Sequence, residues 1–144
     1  MQVKQVSVFL ENKSGRLAEV TRVLGSRNID INALSIADTT EFGILRLIVN
    51  NPDTAVEVLK EHGFTVGITE VIAICVDNKP GGLSIALNHL EENNIGIEYM
   101  YSYIGNTGDG KAIIIIRVEE TQKAVDVLKG NKVDIMPIDK IYCL

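Results

Sequence analysis

The stretch Asn78-Lys79-Pro80-Gly81-Gly82-Leu83 restates Asn12-Lys13-Ser14-Gly15-Arg16-Leu17 at a distance of 78 − 12 = 66 residues. A chain of 144 residues fits one ordinary domain or two small ones sharing a core, and this internal repeat favours two. Each copy follows an apolar run and opens a segment with apolar residues at helical spacing. Each therefore reads as a tight turn from a strand into a helix. A glycine in such a turn lets backbone amides approach a ligand. The first amides of a helix lack intrahelical partners and sit at the positive end of its dipole, so they form a receptor for a carboxylate or phosphate. Two turns suggest two related sites.

The rest of the chain falls into the same two copies. Gln5 to Leu10 alternates as a strand, and Leu17, Val20, Thr21 and Leu24 form one face of a helix over 16–27. Ile29 to Ala37 and Gly43 to Val49 are β-branched runs joined by a hairpin connection. Asn51-Pro52 opens a second helix that His62-Gly63 stops, and Thr65 to Val76 supplies a last strand. The order is β-α-β-β-α-β, and it then begins again. Leu83, Ala86, Leu87 and Leu90 copy the first helix stripe, and Asn94-Ile95-Gly96-Ile97 copies Asn28-Ile29-Asp30-Ile31. Ala124, Val127 and Leu128 copy Ala55, Val58 and Leu59, and Lys132 to Leu144 parallels Thr65 to Asp77. The fold class expected is α+β: two ferredoxin-like βαββαβ units in tandem, 1–69 and 70–144, with antiparallel sheets and helices on one face. No linker residues separate them, so Thr65 to Asp77 is expected to be one long strand passing directly between units.

Several function classes are excluded by composition. The net charge is −5 and there is no basic block, so nothing attracts a nucleic-acid backbone. No apolar stretch reaches the roughly 20 residues that span a bilayer, and the first residues begin no signal peptide, so a cytoplasmic location is expected. Cys75 and Cys143 are isolated in apolar runs, and with His62 and His89 they assemble no zinc motif, so neither metal nor cofactor is expected. Gly105 to Lys111 imitates a phosphate-binding G-x-x-x-x-G-K loop. However, Ala112 stands where Ser or Thr should hold magnesium, and Ile113 to Ile116 continues as a strand where that motif needs a helix. Glu91-Glu92 and Glu119-Glu120 are adjacent pairs whose side chains diverge, and no nucleophile has a recognisable base and acid. The chain is read as no enzyme. Tyr99, Tyr101 and Tyr103 share one strand face, suited to packing or to lining a ligand.

With these residues in place, the sequence resembles a tandem pair of ACT domains, ferredoxin-like modules that bind amino acids and regulate metabolic enzymes. The resemblance covers essentially the whole chain. It rests on an apolar strand, a D-x-P-G-x-L turn, a helix and an N-I-N-I-like start of the second strand. The second copy keeps Pro80, Gly81 and Leu83; the first keeps Gly15 and Leu17 with Ser14 for proline. Both carry asparagine, Asn12 and Asn78, for the usual aspartate, an amide that accepts a hydrogen bond but brings no charge.

The resemblance implies ligand binding at the interface between modules, by the strand-to-helix turn and the start of the second strand. The first set is Asn12, Lys13, Ser14, Gly15, Arg16, Leu17, Asn32, Ala33 and Leu34. The second is Asn78, Lys79, Pro80, Gly81, Gly82, Leu83, Glu98, Tyr99 and Met100. The amides at 15–17 and 81–83 suit a carboxylate, and Asn32, Glu98 or a strand-edge carbonyl suits an ammonium. The Gly81 turn is expected to be the stronger receptor, because Pro80 fixes a dihedral, Gly82 leaves room that Arg16 fills in the first copy, and Glu98 replaces neutral Asn32. The function implied is a non-catalytic amino-acid sensor, homodimeric through leftover sheet edges and helix faces, that regulates a partner metabolic enzyme. The alternative is an obligate regulatory subunit, similar to the small subunit of acetolactate synthase, with no ligand of its own.

Overall fold

The computed structural model describes residues 2–11, 13–38, 41–104, 109–137 and 139–140. Eleven elements follow the expected order: β1 Val3–Glu11, α1 Arg16–Ser26, β2 Ile31–Asp38, β3 Phe42–Val49, α2 Pro52–Glu61, β4 Thr65–Asp77, α3 Gly82–Glu92, β5 Ile97–Ser102, β6 Lys111–Val118, α4 Thr121–Gly130 and β7 Asp134–Ile135. The fold is α+β, two ferredoxin-like βαββαβ units in tandem.

Alternation decides which side of each strand meets the helices. In the first unit Val6, Val8 and Leu10 of β1 and Leu45, Leu47 and Val49 of β3 pack with Val20, Leu24, Ala55 and Leu59 of α1 and α2. In the second, Ile72, Ile74 and Val76 of β4 and Ile114, Ile116 and Val118 of β6 pack with Ala86, Leu90, Ala124 and Leu128 of α3 and α4. Burying a leucine- or isoleucine-sized side chain contributes about 1.5–3 kcal/mol before the opposing entropy is counted, so these two layers hold the helices down.

β4 joins the units. It pairs antiparallel with β1 from Thr65 to Val71 and with β6 from Ile72 to Asp77, which gives one sheet in the order β2-β3-β1-β4-β6-β5. That sheet curls until its outer strands meet, where Ala33 bridges Tyr103 and the Ile104 amide donates to the Asn32 carbonyl at 3.0 Å. The face turned away from the helices encloses a third layer made of Val3, Ala33, Ile48, Val71, Ala73, Ile113 and Ile115. Tyr101 and Tyr103 pack against this layer, the packing role among the two that alternation allowed.

The final strand departs from expectation. Among the described residues of 132–144 only Asp134–Ile135 pairs with β4, rather than the thirteen-residue counterpart of Thr65 to Asp77. Lys132 takes a left-handed turn at φ 60°, and Pro137, which has no N–H to give a ladder, follows the Met136 amide that donates to Ala73. Residues 141–144, including Cys143, lie outside the described residues, as do 105–108 of the loop that imitates a phosphate-binding motif. Lys111 nevertheless opens a strand, so the helix that motif requires does not follow it. Among the described residues no helix is long and apolar enough to cross a membrane, and no group of three or more metal-ligating side chains gathers.

Candidate functional site

The two repeated turns are built alike, bond for bond. Gly15 caps α1 at φ 85° and Gly81 caps α3 at φ 84°, a left-handed conformation that glycine adopts without strain. In the first turn the Lys13 amide donates to Glu11, Arg16 to Lys13 and Glu19 to Gly15; in the second, Lys79 donates to Asp77, Gly82 to Lys79 and Ile85 to Gly81. Neither helix has a side-chain cap, whereas Asn51 caps α2 through the Thr54 amide at 3.3 Å. The amides of Leu17 and Ala18, and of Leu83 and Ser84, therefore point outward with no acceptor among the described residues.

Carboxylates flank both turns, a feature the sequence reading missed. The Lys13 ammonium lies 2.8 Å from Glu11, and Lys79 lies 3.7 Å from Asp77, so each turn lysine is tied to the acid two residues before it. Lysine holds the Glu11 carboxyl below its ordinary value. Asp77 is also depressed, chiefly because Lys111 donates to it, and the same contact raises the Lys111 ammonium.

The proposed contact residues are dispersed within one chain. Lys13, Ser14, Gly15 and Leu17 are exposed at the first turn with Arg16 half-buried, and Asn78, Lys79, Pro80 and Gly81 are exposed at the second with Leu83 half-buried; Asn12 lies outside the described residues. Asn32, Ala33 and Leu34 sit at the other end of the first unit. β2 runs parallel to β1, because each is antiparallel to β3, so the turn after β1 adjoins the end of β2. Leu34 is four residues from that end, about 13 Å along the strand. Asn32 is buried, Ala33 is fully enclosed in the third layer, and Leu34 is exposed. Beside the first turn stand Ile36 and Gly43, which with Leu17 and Arg16 border a groove of about 190 Å³.

In the second set, Glu98 is exposed and, like Glu11 and Asp77, has a cation beside it: Arg117 Nε lies 3.4 Å away. Met100 packs on the helix layer. The Tyr99 hydroxyl accepts from Gln5 Nε2 at 2.9 Å, while the Arg46 guanidinium stacks 3.6 Å from the Tyr99 ring centre. Gly82 leaves no room either: a Cβ there would stand 2.0 Å from the Asp77 carbonyl oxygen. The glycine is there because the backbone passes too close for any side chain. One reason for ranking the Gly81 turn above the Gly15 turn, open space at Gly82, is thereby removed.

Repeat-related cavities open beside the two turns, on the side facing the last strand of each unit. The first, about 290 Å³, is lined by Phe9, Leu10, Glu11, Arg16, Phe42 and Phe64, with Gly63 and Thr65 at its rim. Arg16 reaches Glu19 at 3.1 Å and covers the Phe64 ring at 4.8 Å, and its buried Nε meets no acceptor among the described residues. The second cavity, about 140 Å³, lies against Cys75, Asp77, Gly82, Lys111, Val133 and Asp134, among others.

A family model described as an ACT domain pair matches residues 1–142. This chain belongs to that family. The ACT domain pair is similar over its whole length to the crystal structure of protein BT0572 from Bacteroides thetaiotaomicron, with 46% identity, a TM-score of 0.93 and coverage of 100% of this chain and 98% of that one. It shares its fold with the ligand-free regulatory subunit of aspartate kinase from Thermus thermophilus, at 15% identity, TM-score 0.63, and 90% and 92% coverage. The regulatory subunit of aspartate kinase from Thermus flavus is alike at 13% identity, TM-score 0.63, and 88% of each chain. Among curated proteins none matches the ACT domain pair. ACT domains are regulatory, ligand-binding modules.

Proposed function

We propose that this ACT domain pair is an amino-acid sensor that regulates a separate metabolic enzyme and performs no chemistry itself. The observation that carries the reading is the pairing, at each turn, of outward-pointing uncapped amides with the carboxylate that ends the preceding strand, Glu11 or Asp77. An α-amino acid presents the complementary pair, a carboxylate for the amides and an ammonium for the acid. The regulatory subunits of aspartate kinase that share the fold support a partner enzyme in amino-acid metabolism.

The two units divide near 69/70, and a second copy completes the ligand site. The exposed Leu17, Leu34 and Ile36 on α1 and β2 are the surface on which two copies meet, and this arrangement brings the start of β2 of one copy to the turn of the other. Thermal unfolding in the presence of each of the twenty amino acids tests the reading. A ligand at 100 times its dissociation constant adds about 2.7 kcal/mol, which for a chain of this size raises Tm by about 5–10 °C. A uniform Tm across all twenty refutes amino-acid sensing, and light scattering that finds monomer alone refutes the dimer.

A further inference from the structure

All three phenylalanines of the chain, Phe9, Phe42 and Phe64, line the cavity beside the first turn. They come from three different elements or their flanks: Phe9 from β1, Phe42 from the start of β3, and Phe64 from the last of the three residues between α2 and β4. Phe9 is 54% exposed and Phe42 46% exposed, their rings meeting edge to face at 6.4 Å, so aromatic surface faces an open space. At the wall of the same space stands Arg16, whose charged side chain is partly exposed.

The second repeat shows what has been changed. Phe9 corresponds to Cys75 and Phe64 to Val133; Phe42, paired with Glu11, corresponds to Lys111, paired with Asp77. Arg16 corresponds to Gly82. Three aromatic rings become a thiol, a small aliphatic group and a lysine that donates to Asp77, and the cavity shrinks from about 290 to about 140 Å³. One unit has kept three aromatic rings, together with Glu11 and Arg16, around the space beside its turn, while the other places the Asp77–Lys111 ion pair there.

Resting on the amino-acid-sensing reading, we infer that the first cavity is the side-chain pocket of the sensor and that its ligand is an α-amino acid with a large apolar side chain, aliphatic or aromatic. The side chain lies against Phe9, Phe42 and Phe64, and the Arg16 side chain, which lines the same cavity, supplies the positive charge for a ligand oxygen. The second cavity takes no such ligand. The principal receptor is then the Gly15 turn, the reverse of the order expected from the turn residues alone.

Isothermal calorimetry on the full chain tests this with L-leucine and L-phenylalanine against glycine and L-aspartate. Apolar ligands bind at least about tenfold more tightly than glycine, the scale of discrimination that hydrophobic pockets reach. Phe42→Ala, at a position whose side chain is 46% exposed, weakens the apolar ligand by about the same factor with the fold confirmed by circular dichroism, and Ile85→Ala, exposed beside the second cavity, leaves it unchanged. Glycine or aspartate binding as tightly as leucine, or Ile85→Ala as the variant that weakens binding, overturns this inference and leaves amino-acid sensing standing. Heat from none of the twenty amino acids overturns both.

Discussion

Tyr101 donates its hydroxyl to Gln5 Oε1 across 2.7 Å, tying β5 of the second unit to β1 of the first through a side chain with no exposed surface. Gln5 Nε2 donates onward to Tyr99 and Ser7, and the Ser7 hydroxyl lies 3.2 Å from that of Thr69. Burial pushes the Tyr101 hydroxyl well above its usual ionisation range, so it is a donor at neutral pH. Tyr101→Phe removes the donor and leaves the buried Oε1 unmatched, which destabilises the fold by about 1–3 kcal/mol. Urea denaturation followed by circular dichroism measures this, and a midpoint equal to that of the wild type contradicts it.

The two neighbouring glycines of the second turn differ in what they forbid. Gly81 needs its left-handed φ but has open space around its missing Cβ, so Gly81→Ala costs about 1–2 kcal/mol of backbone strain. Gly82→Ala drives a methyl into the Asp77 carbonyl and has to displace the strand end or the helix start. It is expected to be the more destabilising of the two by thermal unfolding, and the opposite order would show that the helix start yields easily.

The Asp77–Lys111 pair sets a pH window. Asp77 is depressed, so its contribution is present above the ordinary carboxylate value and is lost as pH falls through its lowered one. Lys111 is raised, so its contribution is present below the ordinary lysine value and is lost as pH rises through its higher one. Both side chains are partly exposed, which makes the pair sensitive to salt and modest in strength. In Lys111→Met, carboxyl titration by NMR places Asp77 higher than in the wild type, with Lys79 still holding it partly down. An unmoved midpoint would assign the shift to another cause.

Burial pushes the Cys75 thiol up from its ordinary value, so the reactive thiolate is scarce at neutral pH. In a Cys143→Ser background, iodoacetamide labels Cys75 more slowly than a free thiol at pH 8, with a rate that climbs as pH is raised. Intact-mass spectrometry follows the reaction, and labelling at the rate of free cysteine excludes a suppressed thiolate.

Much of this fold is written into the spacing of apolar residues. Val6, Val8 and Leu10 alternate, Val20 and Leu24 recur one turn apart, and the duplicate of each lies 66 residues on, so every element announces itself twice. Pro137 was a readable sign that the last strand is cut short. The parallel course of β1 and β2 likewise follows from the βαββαβ order, and it places Ala33 far from the turn it was grouped with. The closure of the sheet through Ala33 and Tyr103 has no such sign, because curvature accumulates over all six strands. The aromatic cavity was legible only in part: three phenylalanines is a small number, but their convergence depends on the pairing of Phe9 with Thr65 and of Phe42 with Glu11. Nothing local marks Gly82, whose constraint is a carbonyl five residues away.

β4 carries its alternation unbroken across the junction. Val66 packs with the helices of the first unit and Ile72, Ile74 and Val76 with those of the second, while Thr69, Val71 and Ala73 all turn to the enclosed face. The strand thus behaves like a reading frame. A one-residue deletion between Val71 and Ile72 would keep every letter downstream yet exchange inside for outside throughout one unit, whereas removing two would restore the sense. For such a duplicated chain, the seam therefore constrains length as well as identity: an edit of two residues keeps the sense that an edit of one reverses.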